Sequence, residues 1–286
     1  MLFRSVLKAD GLALGKGVLI CNTREEAKEG VKTLMLDKQF GHAGDRIVVE
    51  QFMTGREVSV LSFVDGKTIK IMTSAQDHKR AKDGDQGLNT GGMGTFSPSR
   101  IYTKEINDDC MEKIFKPTVA AMASEGRPFV GILYFGLMLT EDGMKVIEYN
   151  ARFGDPETQV ILPRLKSDML EIMEACVDGT LDSMDIEWYD NAAVCVVEAS
   201  GGYPVKYDKG FEITGLDKIA GRDDVIVFHA GTALKDGRLV TNGGRVLGIT
   251  GIGKDIDEAR RIAYEGVDIV DFEKKHFRHD IGIKKY

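Results

Sequence analysis

The first 72 residues alternate short apolar runs with polar turns and contain one helical stripe. Strands are predicted at residues 6–9, 18–21, 46–52, 57–64 and 68–72. A glycine-rich turn at 10–17 joins the first two strands. Thr23 and Glu26 have the spacing of a capping box, and the apolar stripe after them predicts a helix to about Asp37. This stretch is therefore predicted to form a compact α+β unit.

The pattern changes in the middle of the chain. Residues 73–100 are polar and glycine-rich with almost no apolar periodicity, so they are predicted to form a long, functional loop. Helical spacing returns at 103–124, where Pro117 is predicted to kink or break the helix. Strands are then predicted at 129–140 and 144–149, and a helical stretch follows to about residue 178.

A polar, acidic segment at 178–191 lacks a regular period and indicates a domain boundary. Beyond it, strands are predicted at residues 192–199, 225–230, 240–241 and 246–250. A helix at 256–270 begins with Asp255 and Glu258 at capping-box spacing. We therefore predict one domain at 1–180 and a small, mostly-β domain at 190–286.

Composition and charge narrow the function classes. The 286 residues are 43% hydrophobic and 29% charged, which is typical of a globular protein with room for two domains. The formal net charge is −7 and the pI about 5.4, so a general nucleic-acid or anionic-membrane surface is disfavoured. We expect neither nucleic acid nor a membrane as a partner, and the sequence leaves the oligomeric state open.

The cysteines and the longest apolar run indicate a cytoplasmic protein. The four cysteines lie far apart without metal-ligand spacing, so neither a zinc site nor a disulfide framework is predicted. The apolar run at 129–139 is too short to cross a bilayer and contains two glycines, which suits a buried strand. The first residues show no secretion signal, so we expect reduced thiols and a cytoplasmic location.

Lys8 and the glycine-rich turn after it have features of a phosphate-binding loop. A cation on a strand and a flexible backbone with free N–H groups suit a nucleoside triphosphate. The segment matches neither the GxxxxGK[ST] loop nor the GxGxxG fingerprint. A plain hairpin turn is the alternative interpretation.

A second candidate segment follows at Glu50, Gln51 and Phe52, with Glu57 at the start of the next strand. Backbone N–H and C=O groups of such a strand could bind an adenine edge, and the Glu57 carboxylate could accept from ribose hydroxyls. The alternative is an exposed glutamate on a strand edge that stays in solvent.

The most informative group is Glu148, Asn150 and Arg152, which follow the apolar Val146 and Ile147 in alternation. Side chains at i and i+2 of a strand share a face, so the Glu148 carboxylate and the Asn150 amide oxygen could hold one hard cation such as Mg²⁺. Arg152 would point the same way if the strand continues, and could neutralise charge on a transferring phosphoryl group. A polar edge strand running into a turn is the alternative.

The long loop at 73–100 contains a charged cluster around His78. Asp77, Lys79 and Arg80 flank this histidine and could bind a phosphorylated substrate, although a solvated charge run would look the same. The chain has no GxSxG motif and no cysteine in a basic, glycine-rich context. A serine or cysteine nucleophile is therefore not supported.

Several motifs together resemble one known family. They are VLKADGLALGKG (6–17), TSAQDHKR (73–80), NTGGMG (89–94), RFGDPETQ (152–159), GGYP (201–204), FHAGT (228–232) and TNGGRVL (241–247). In this order they closely resemble the phosphoribosylamine-glycine ligase family, also called glycinamide ribonucleotide synthetases, which are ATP-grasp enzymes. The likeness covers nearly the whole chain.

The resemblance implies an ATP-grasp fold of two α+β lobes, at about 1–56 and 57–180, followed by the C-terminal domain. It also implies an ATP-dependent carbon–nitrogen ligase. In this family glycine is joined to 5-phosphoribosylamine through glycyl phosphate, which gives glycinamide ribonucleotide, ADP and phosphate in purine biosynthesis. The implied cofactors are ATP and Mg²⁺, or Mn²⁺ in its place. Phosphoryl transfer of this kind needs positioning and charge neutralisation and no protein nucleophile.

The family's roles carry over to matching positions. The resemblance assigns phosphate binding to Lys8, Gly11, Gly15, Lys16 and Gly17, and adenine and ribose binding to Glu50, Gln51, Phe52 and Glu57. It assigns the metal to Glu148 and Asn150, and catalysis to Arg152, Asp155 and Glu157. It assigns substrate binding to His78, Lys79, Arg80, Gly91, Gly92, Met93 and Gly94.

This chain departs from the family pattern in two ways. The family carries an additional α/β domain ahead of the part matched here, and residues 133–139 lack the second acid that many ATP-grasp enzymes place on that strand. Two further hypotheses therefore stand beside the ligase. The chain could be another ATP-grasp carboxylate–amine ligase or carboxylase, or an ATP-binding fragment without turnover. Substrate-dependent ADP release would distinguish them.

Overall fold

Contacts between residues divide the computed structural model into two units, Met1–Gly55 and Arg56–Tyr286. The structure describes residues 4–13 and 17–283. Each unit combines strands with helices, so the α+β class predicted from the sequence is confirmed.

The secondary structure matches most of the predicted elements to within a few residues. The strands are β1 (Ser5–Ala9), β2 (Val18–Cys21), β3 (Ile47–Gln51), β4 (Arg56–Asp65), β5 (Ile69–Ile71), β6 (Gln76–Asp77), β7 (Arg80–Lys82), β8 (Gln86–Asn89), β9 (Gly94–Ser97), β10 (Val130–Thr140), β11 (Gly143–Asn150), β12 (Ala192–Ser200), β13 (Val225–His229), β14 (Thr232–Lys235), β15 (Arg238–Thr241), β16 (Arg245–Gly253) and β17 (Lys275–His276). The α-helices are α1 (Arg24–Val31), α2 (Lys104–Cys110), α3 (Lys116–Ser124), α4 (Thr158–Ile161), α5 (Met169–Asp178), α6 (Leu216–Ile219) and α7 (Ile256–Ile269).

The first unit is a three-stranded antiparallel sheet, in the order β2-β1-β3, packed against α1. The helix begins where the capping-box spacing predicts. Thr23 Oγ1 accepts the Glu26 N–H at 3.1 Å, and the Glu26 carboxylate accepts the N–H of Asn22 at 2.7 Å. A π-helical turn at Lys32–Leu36 extends the helix, so its predicted end near Asp37 is confirmed. The core contains Leu7, Cys21 and Leu34.

The second unit contains a four-stranded antiparallel sheet in the order β11-β10-β4-β5. Helices α2 and α3 cover one face of this sheet, and α5 covers the other. Because side chains alternate along a strand, Val58 and Val60 of β4 face α2 and α3, while Leu61 faces α5. Strand β11 lies at the sheet edge and ends at Asn150, so the polar side chains near its end reach solvent.

A larger sheet has the order β13-β16-β12-β9-β6, with β17 paired to β12. Helix α7 packs against it and is capped by Asp255, whose side chain accepts the Glu258 N–H at 2.9 Å. The buried face of α7 includes Ile256, Ile262 and Val267. Strands from before and after the predicted domain boundary near 180–190 share this sheet. The division at that point stays a prediction.

The predicted long loop at 73–100 is wrong, because this segment contains β6, β7, β8 and β9. Strand β9 pairs with β12, where Thr95 lies opposite Cys195. All four residues of β9 are buried, so the strand shows no alternation of polar and apolar positions. The other three strands have two to four residues each, and such short runs give no periodic signal.

Two helical predictions need correction. The predicted break at Pro117 is wrong, because the chain stays helical through this residue: a π-helical turn at Met111–Phe115 joins α2 to α3, and Pro117 lies in the first turn of α3. The helical stretch after residue 158 is interrupted between α4 and α5. A short 3₁₀ turn at Leu162–Arg164 ends the first helix, and Asp168 caps the second through the Leu170 N–H at 2.7 Å.

The four cysteines are unpaired thiols, and all four are buried. Among residues 4–13 and 17–283, no helix combines the length and the apolar character needed to cross a bilayer.

Candidate active site

Lys8 and Glu50 form an ion pair across neighbouring strands of the first unit. Lys8 lies on β1 and Glu50 on β3, with 2.7 Å between Nζ and Oε2, and both side chains are partly exposed. Gln51 ends β3, and the ring of Phe52 lies 5.1 Å from the guanidinium carbon of Arg4. The predicted phosphate-binding cation and the predicted adenine-binding strand are therefore adjacent within this unit.

The described ends of the glycine-rich turn are fixed by backbone hydrogen bonds. The Gly11 N–H donates to the Ala43 carbonyl at 3.0 Å, and the Gly17 carbonyl accepts from the Ala9 N–H at 2.8 Å. The turn is thus anchored at its base on both sides. Two predicted phosphate-binding residues, Gly15 and Lys16, lie outside the described residues.

Glu148, Asn150 and Arg152 come together at the end of β11. Asn150 Nδ2 lies 3.5 Å from Glu148 Oε1, and Arg152 Nη2 donates to Asn150 Oδ1 at 3.3 Å. The strand stops at Asn150, so Arg152 does not continue the alternation. Its side chain folds back instead and also donates to the Phe153 carbonyl at 2.8 Å. The three predicted groups are neighbours at a solvent-facing strand end.

Gly136 on β10 lies opposite Glu148 in the antiparallel register. A Cβ at Gly136 would be 2.9 Å from Glu148 Cγ, closer than van der Waals contact allows. An acidic side chain at this position would therefore displace Glu148. The absence of an acid at position 136 thus fits the place that Glu148 occupies.

Glu157 is buried, with 5% of its surface exposed, and it binds two hydroxyl groups from the sheet. Its Oε1 accepts from Tyr134 Oη at 2.9 Å and from Ser59 Oγ at 3.1 Å, and the two hydroxyl oxygens are 2.7 Å apart. Burial and the neighbouring Glu157 charge raise the pKa of Tyr134. The phenol therefore stays protonated and donates to the carboxylate.

Asp77 and Lys79 lie near this cluster, and the pKa of each is raised, for different reasons. Burial, together with the charge of Glu157, raises the pKa of Asp77 well above 3.8, although the His78 N–H donates to its Oδ1 at 2.7 Å. Lys79 pairs with Glu57 at 3.0 Å between Nζ and Oε2. Burial lowers the pKa of Lys79, but the Glu57 charge more than offsets this and the net shift is upward. Lys79 therefore keeps its positive charge.

Asp155 is held by two side chains. Its Oδ1 accepts from Gln159 Nε2 at 2.8 Å, and its Oδ2 accepts from Arg245 Nη2 at 2.8 Å. Arg245 Nη1 also donates to the Asp155 carbonyl at 2.9 Å and to the Gly91 carbonyl at 3.0 Å. The RFGDPE segment and the NTGGMG segment are therefore joined through one arginine.

Gly92 has a backbone conformation that favours glycine, with φ at +117°. A Cβ at this position would lie 2.5 Å from Pro156 Cδ and 2.8 Å from Asp77 Oδ1. Any larger residue would push the segment away from both groups. The neighbouring Met93 is fully buried, and Gly94 begins β9.

His78 and Arg80 are engaged within the protein. The His78 ring packs 5.9 Å from the Phe96 ring, measured between centroids. Arg80 Nη1 donates to the Gly87 carbonyl at 2.8 Å, which closes the β7–β8 hairpin. Their predicted contacts with substrate stay predictions, and Lys79 is the cation of this segment that lies beside Glu57.

Two family models match this chain. The model of the phosphoribosylglycinamide synthetase ATP-grasp (A) domain matches residues 2–158, and the model of the phosphoribosylglycinamide synthetase C domain matches residues 193–284. The chain belongs to the phosphoribosylglycinamide synthetase family. The resemblance found in the sequence and the predicted ATP-grasp fold are thereby confirmed.

Relatives of this synthetase family are similar over nearly the whole chain. The trifunctional purine biosynthetic protein adenosine-3 of Gallus gallus is 53% identical over 280 residues, which cover 98% of this chain and 28% of the relative. The phosphoribosylamine–glycine ligase of Caldanaerobacter subterraneus subsp. tengcongensis is 49% identical over 277 residues, 97% of this chain and 66% of the relative. This chain thus spans less than two thirds of the length of either protein.

A solved structure of this family is also similar to the chain. The crystal structure of phosphoribosylamine–glycine ligase from Thermotoga maritima superposes with a TM-score of 0.84 at 40% identity. The superposition covers 96% of this chain and 68% of the Thermotoga chain.

The structure shows three further residues, not predicted from the sequence, that contact predicted site residues of this family member. Ser59 and Tyr134 bind Glu157, and Arg245 binds Asp155. Ser59 offered a signal, because it is a polar residue in the buried part of β4 and shares a face with Glu57. Arg245 also offered one, since it lies within the TNGGRVL motif, but its contact with Asp155 spans 90 residues of sequence.

Proposed function

We propose that this chain carries the ATP-dependent ligase activity that joins glycine to 5-phosphoribosylamine in purine biosynthesis. A glycine carboxylate oxygen would attack the γ-phosphorus of ATP and release ADP. The sugar amine would then attack the acyl carbon of glycyl phosphate and release phosphate. Family membership and the names of the relatives support this reaction. The structural observation that carries it is the grouping of Glu148, Asn150 and Arg152 at the end of β11.

The residues at this strand end fit a divalent cation. Glu148 offers a carboxylate and Asn150 an amide oxygen, on the same side of the strand, and oxygen donors of this kind suit Mg²⁺ or Mn²⁺. The Arg152 guanidinium occupies one lone pair of the Asn150 oxygen and leaves the other. A cation held by Glu148 and Asn150 would neutralise negative charge on the phosphates of ATP.

The phosphates, the adenine and the ribose of ATP would each bind to a different group of residues. Lys8, Gly11 and Gly17, with the turn between them, supply a cation and backbone N–H groups for phosphates. Residues 50–52 offer strand backbone for the adenine edge. In the second unit, the Glu57 carboxylate is partly exposed and would accept from ribose hydroxyls while it pairs with Lys79.

The catalytic roles follow from charge and burial. The exposed Arg152 guanidinium would stabilise the charge on the transferring phosphoryl group, because a planar cation matches phosphate oxygens. Asp155 is partly exposed and would face the incoming amine. The buried Glu157 carboxylate, held by two hydroxyls, would shape this region and act as a positioning group.

The substrate contacts are assigned to the segments around β6–β9. Lys79 keeps its positive charge and suits the phosphate of the sugar substrate. His78, Arg80 and the segment 91–94 complete the proposed substrate-binding set. The close packing of Gly92 on Pro156 places this segment against the RFGDPE segment, as a reaction between two bound substrates requires.

Two alternatives remain from the sequence. Another carboxylate–amine pair would be joined by the same machinery, because the strand end and the phosphate loop act on ATP and on any carboxylate. A nucleotide-binding fragment without turnover is the second alternative, because the relatives are longer than this chain. The cytoplasmic location predicted from the cysteines stays a prediction.

The test is coupled ADP release with ATP, Mg²⁺, glycine and freshly generated phosphoribosylamine, with each acceptor omitted in turn. The proposal predicts that full release requires both acceptors. Release with a different carboxylate and not with glycine would overturn the substrate assignment. The absence of release, with ATP still bound by calorimetry, would favour the fragment, and a longer chain with the length of the relatives would then be assayed.

A further inference from the structure

Gly91 is held on both sides of its backbone by side chains from the C-terminal part of the chain. Its N–H donates to Tyr203 Oη at 3.1 Å, and its carbonyl accepts from Arg245 Nη1 at 3.0 Å. Tyr203 belongs to the GGYP motif and Arg245 to the TNGGRVL motif. The proposed reaction assigns no role to either motif, yet both meet at the same residue of the substrate segment.

Arg245 binds a second segment with the same guanidinium. Nη2 donates to Asp155 Oδ2 at 2.8 Å and Nη1 to the Asp155 carbonyl at 2.9 Å. A guanidinium presents its donors in a rigid plane, so three acceptors on two segments fix the distance between those segments. Only 21% of the Arg245 side chain is exposed, while its acceptors at Gly91 and Asp155 lie at the surface.

The packing around this contact also depends on two glycines, which have no side chain to obstruct it. A Cβ at Gly91 would lie 2.9 Å from Arg245 Cζ, and a Cβ at Gly244 would lie 2.3 Å from Tyr203 Cδ2. Glycine at both positions lets the arginine approach Gly91 and lets the tyrosine ring lie on the backbone of the neighbouring motif. The contact is therefore built from both motifs.

We propose that Arg245 and Tyr203 are positioning residues of the reaction. They hold the 91–94 segment against Asp155, and so they set the separation between the substrate-binding segment and the RFGDPE segment. This inference rests on the proposed function for its kinetic consequence, but the holding of Gly91 is measurable without turnover. The C-terminal part of the chain thus supplies alignment to the site.

The first experiment measures amide hydrogen exchange at Gly91 in the whole chain. Tyr203→Phe removes only the hydroxyl, and we expect the Gly91 amide to exchange about fivefold faster, the ratio that corresponds to loss of one ordinary hydrogen bond. Tyr207→Phe is the matched control, because its ring packs 6.2 Å from the Tyr203 ring and its hydroxyl is not the acceptor of the Gly91 N–H. Equal exchange in the parent and in both variants would overturn the holding role.

The second experiment separates binding of ATP from alignment of the other substrates. In Arg245→Ala we expect kcat/KM for glycine to fall about 100-fold, as a displacement of about 1 Å does, with the KM for ATP unchanged. Arg245→Lys should recover little, because an ammonium cannot form the three hydrogen bonds. Arg238→Ala is the control, since Arg238 pairs only with Glu212 among the described residues.

Failure of the proposed function and failure of the positioning role would give different results in these two experiments. A parent chain without glycine-dependent ADP release would contradict the proposed function, while the exchange measurement would still decide whether Tyr203 holds Gly91. An active parent with normal glycine kinetics in Arg245→Ala would overturn the positioning role and leave the proposed function standing. An equal rise in the KM values for ATP and glycine would also contradict it, because that result indicates general loosening of the fold.

Discussion

Two polar regions of the second unit differ in burial and in the origin of their contacts. At the end of β11, Glu148 and Arg152 are exposed, and their contacts with Asn150 span two residues of sequence. Around Glu157, all polar partners are buried, and its contacts with Ser59 and Tyr134 span 98 and 23 residues.

The comparison indicates separate roles for the exposed groups and the buried groups. The exposed groups keep oxygen lone pairs and N–H donors facing water, so they can exchange water for a metal ion or a phosphate at low cost. The buried groups satisfy one another and exclude water, which makes them rigid. We infer that ligands bind at the strand end and that the buried cluster fixes the adjoining segment in place.

The largest effect should come from removing the charge at the strand end. Glu148→Gln should lower metal-dependent ADP formation by about 10²–10³-fold, because the amide is a poorer cation ligand and leaves phosphate charge unneutralised. The fold should be unchanged, since Glu148 is exposed. Glu141→Gln, in the exposed turn that joins β10 to β11, is the matched control. Unchanged turnover in the Glu148 variant would remove the metal assignment.

The buried cluster should respond in stability. Tyr134→Phe removes a hydroxyl that donates to Glu157, and we expect the free energy of unfolding to fall by about 2 kcal/mol, the cost of leaving a buried acceptor short of a partner. Urea denaturation measures this. Tyr189→Phe, at an exposed position, should have little effect. Equal stability of the two variants would mean that the cluster does not hold the segment.

Glu57 is intermediate between the exposed and the buried region, because it is partly exposed and paired with Lys79. Glu57→Gln should raise the KM for ATP about tenfold with little change in kcat, because a ribose contact is the same in the ground and transition states. Lys79→Gln breaks the same ion pair, but should raise the KM for phosphoribosylamine. A normal KM for ATP with a collapsed kcat in the Glu57 variant would contradict the ribose assignment.

A further effect should appear in the pH dependence of stability. The pKa of Asp77 is raised in the folded chain by burial and by Glu157, so the folded state keeps this proton to higher pH than the unfolded state. The Asp77 contribution is therefore present at low pH and is lost as pH rises above 3.8 through the folded pKa. Asp77→Asn should remove this loss. Parallel stability curves for parent and variant would show that Asp77 is not perturbed.

The two regions also differ in what the sequence could predict. The i, i+2 spacing of Glu148 and Asn150 is a local rule, and the structure places these side chains together as that rule predicts. The partners of Glu157 are set by the pairing of β4 with β10, which no spacing in the sequence encodes. The sequence does not predict β9 either, because all four of its residues are buried and its pairing partner, β12, lies about a hundred residues later.

The most direct test of the division between these regions is Mn²⁺ binding, measured by electron paramagnetic resonance in the presence of ATP. We predict that the parent chain, Glu141→Gln and Tyr134→Phe bind Mn²⁺–ATP equally, while Glu148→Gln binds it at least about tenfold more weakly. Equal binding by Glu148→Gln and the parent chain would contradict the account, because the cation would then bind away from the end of β11.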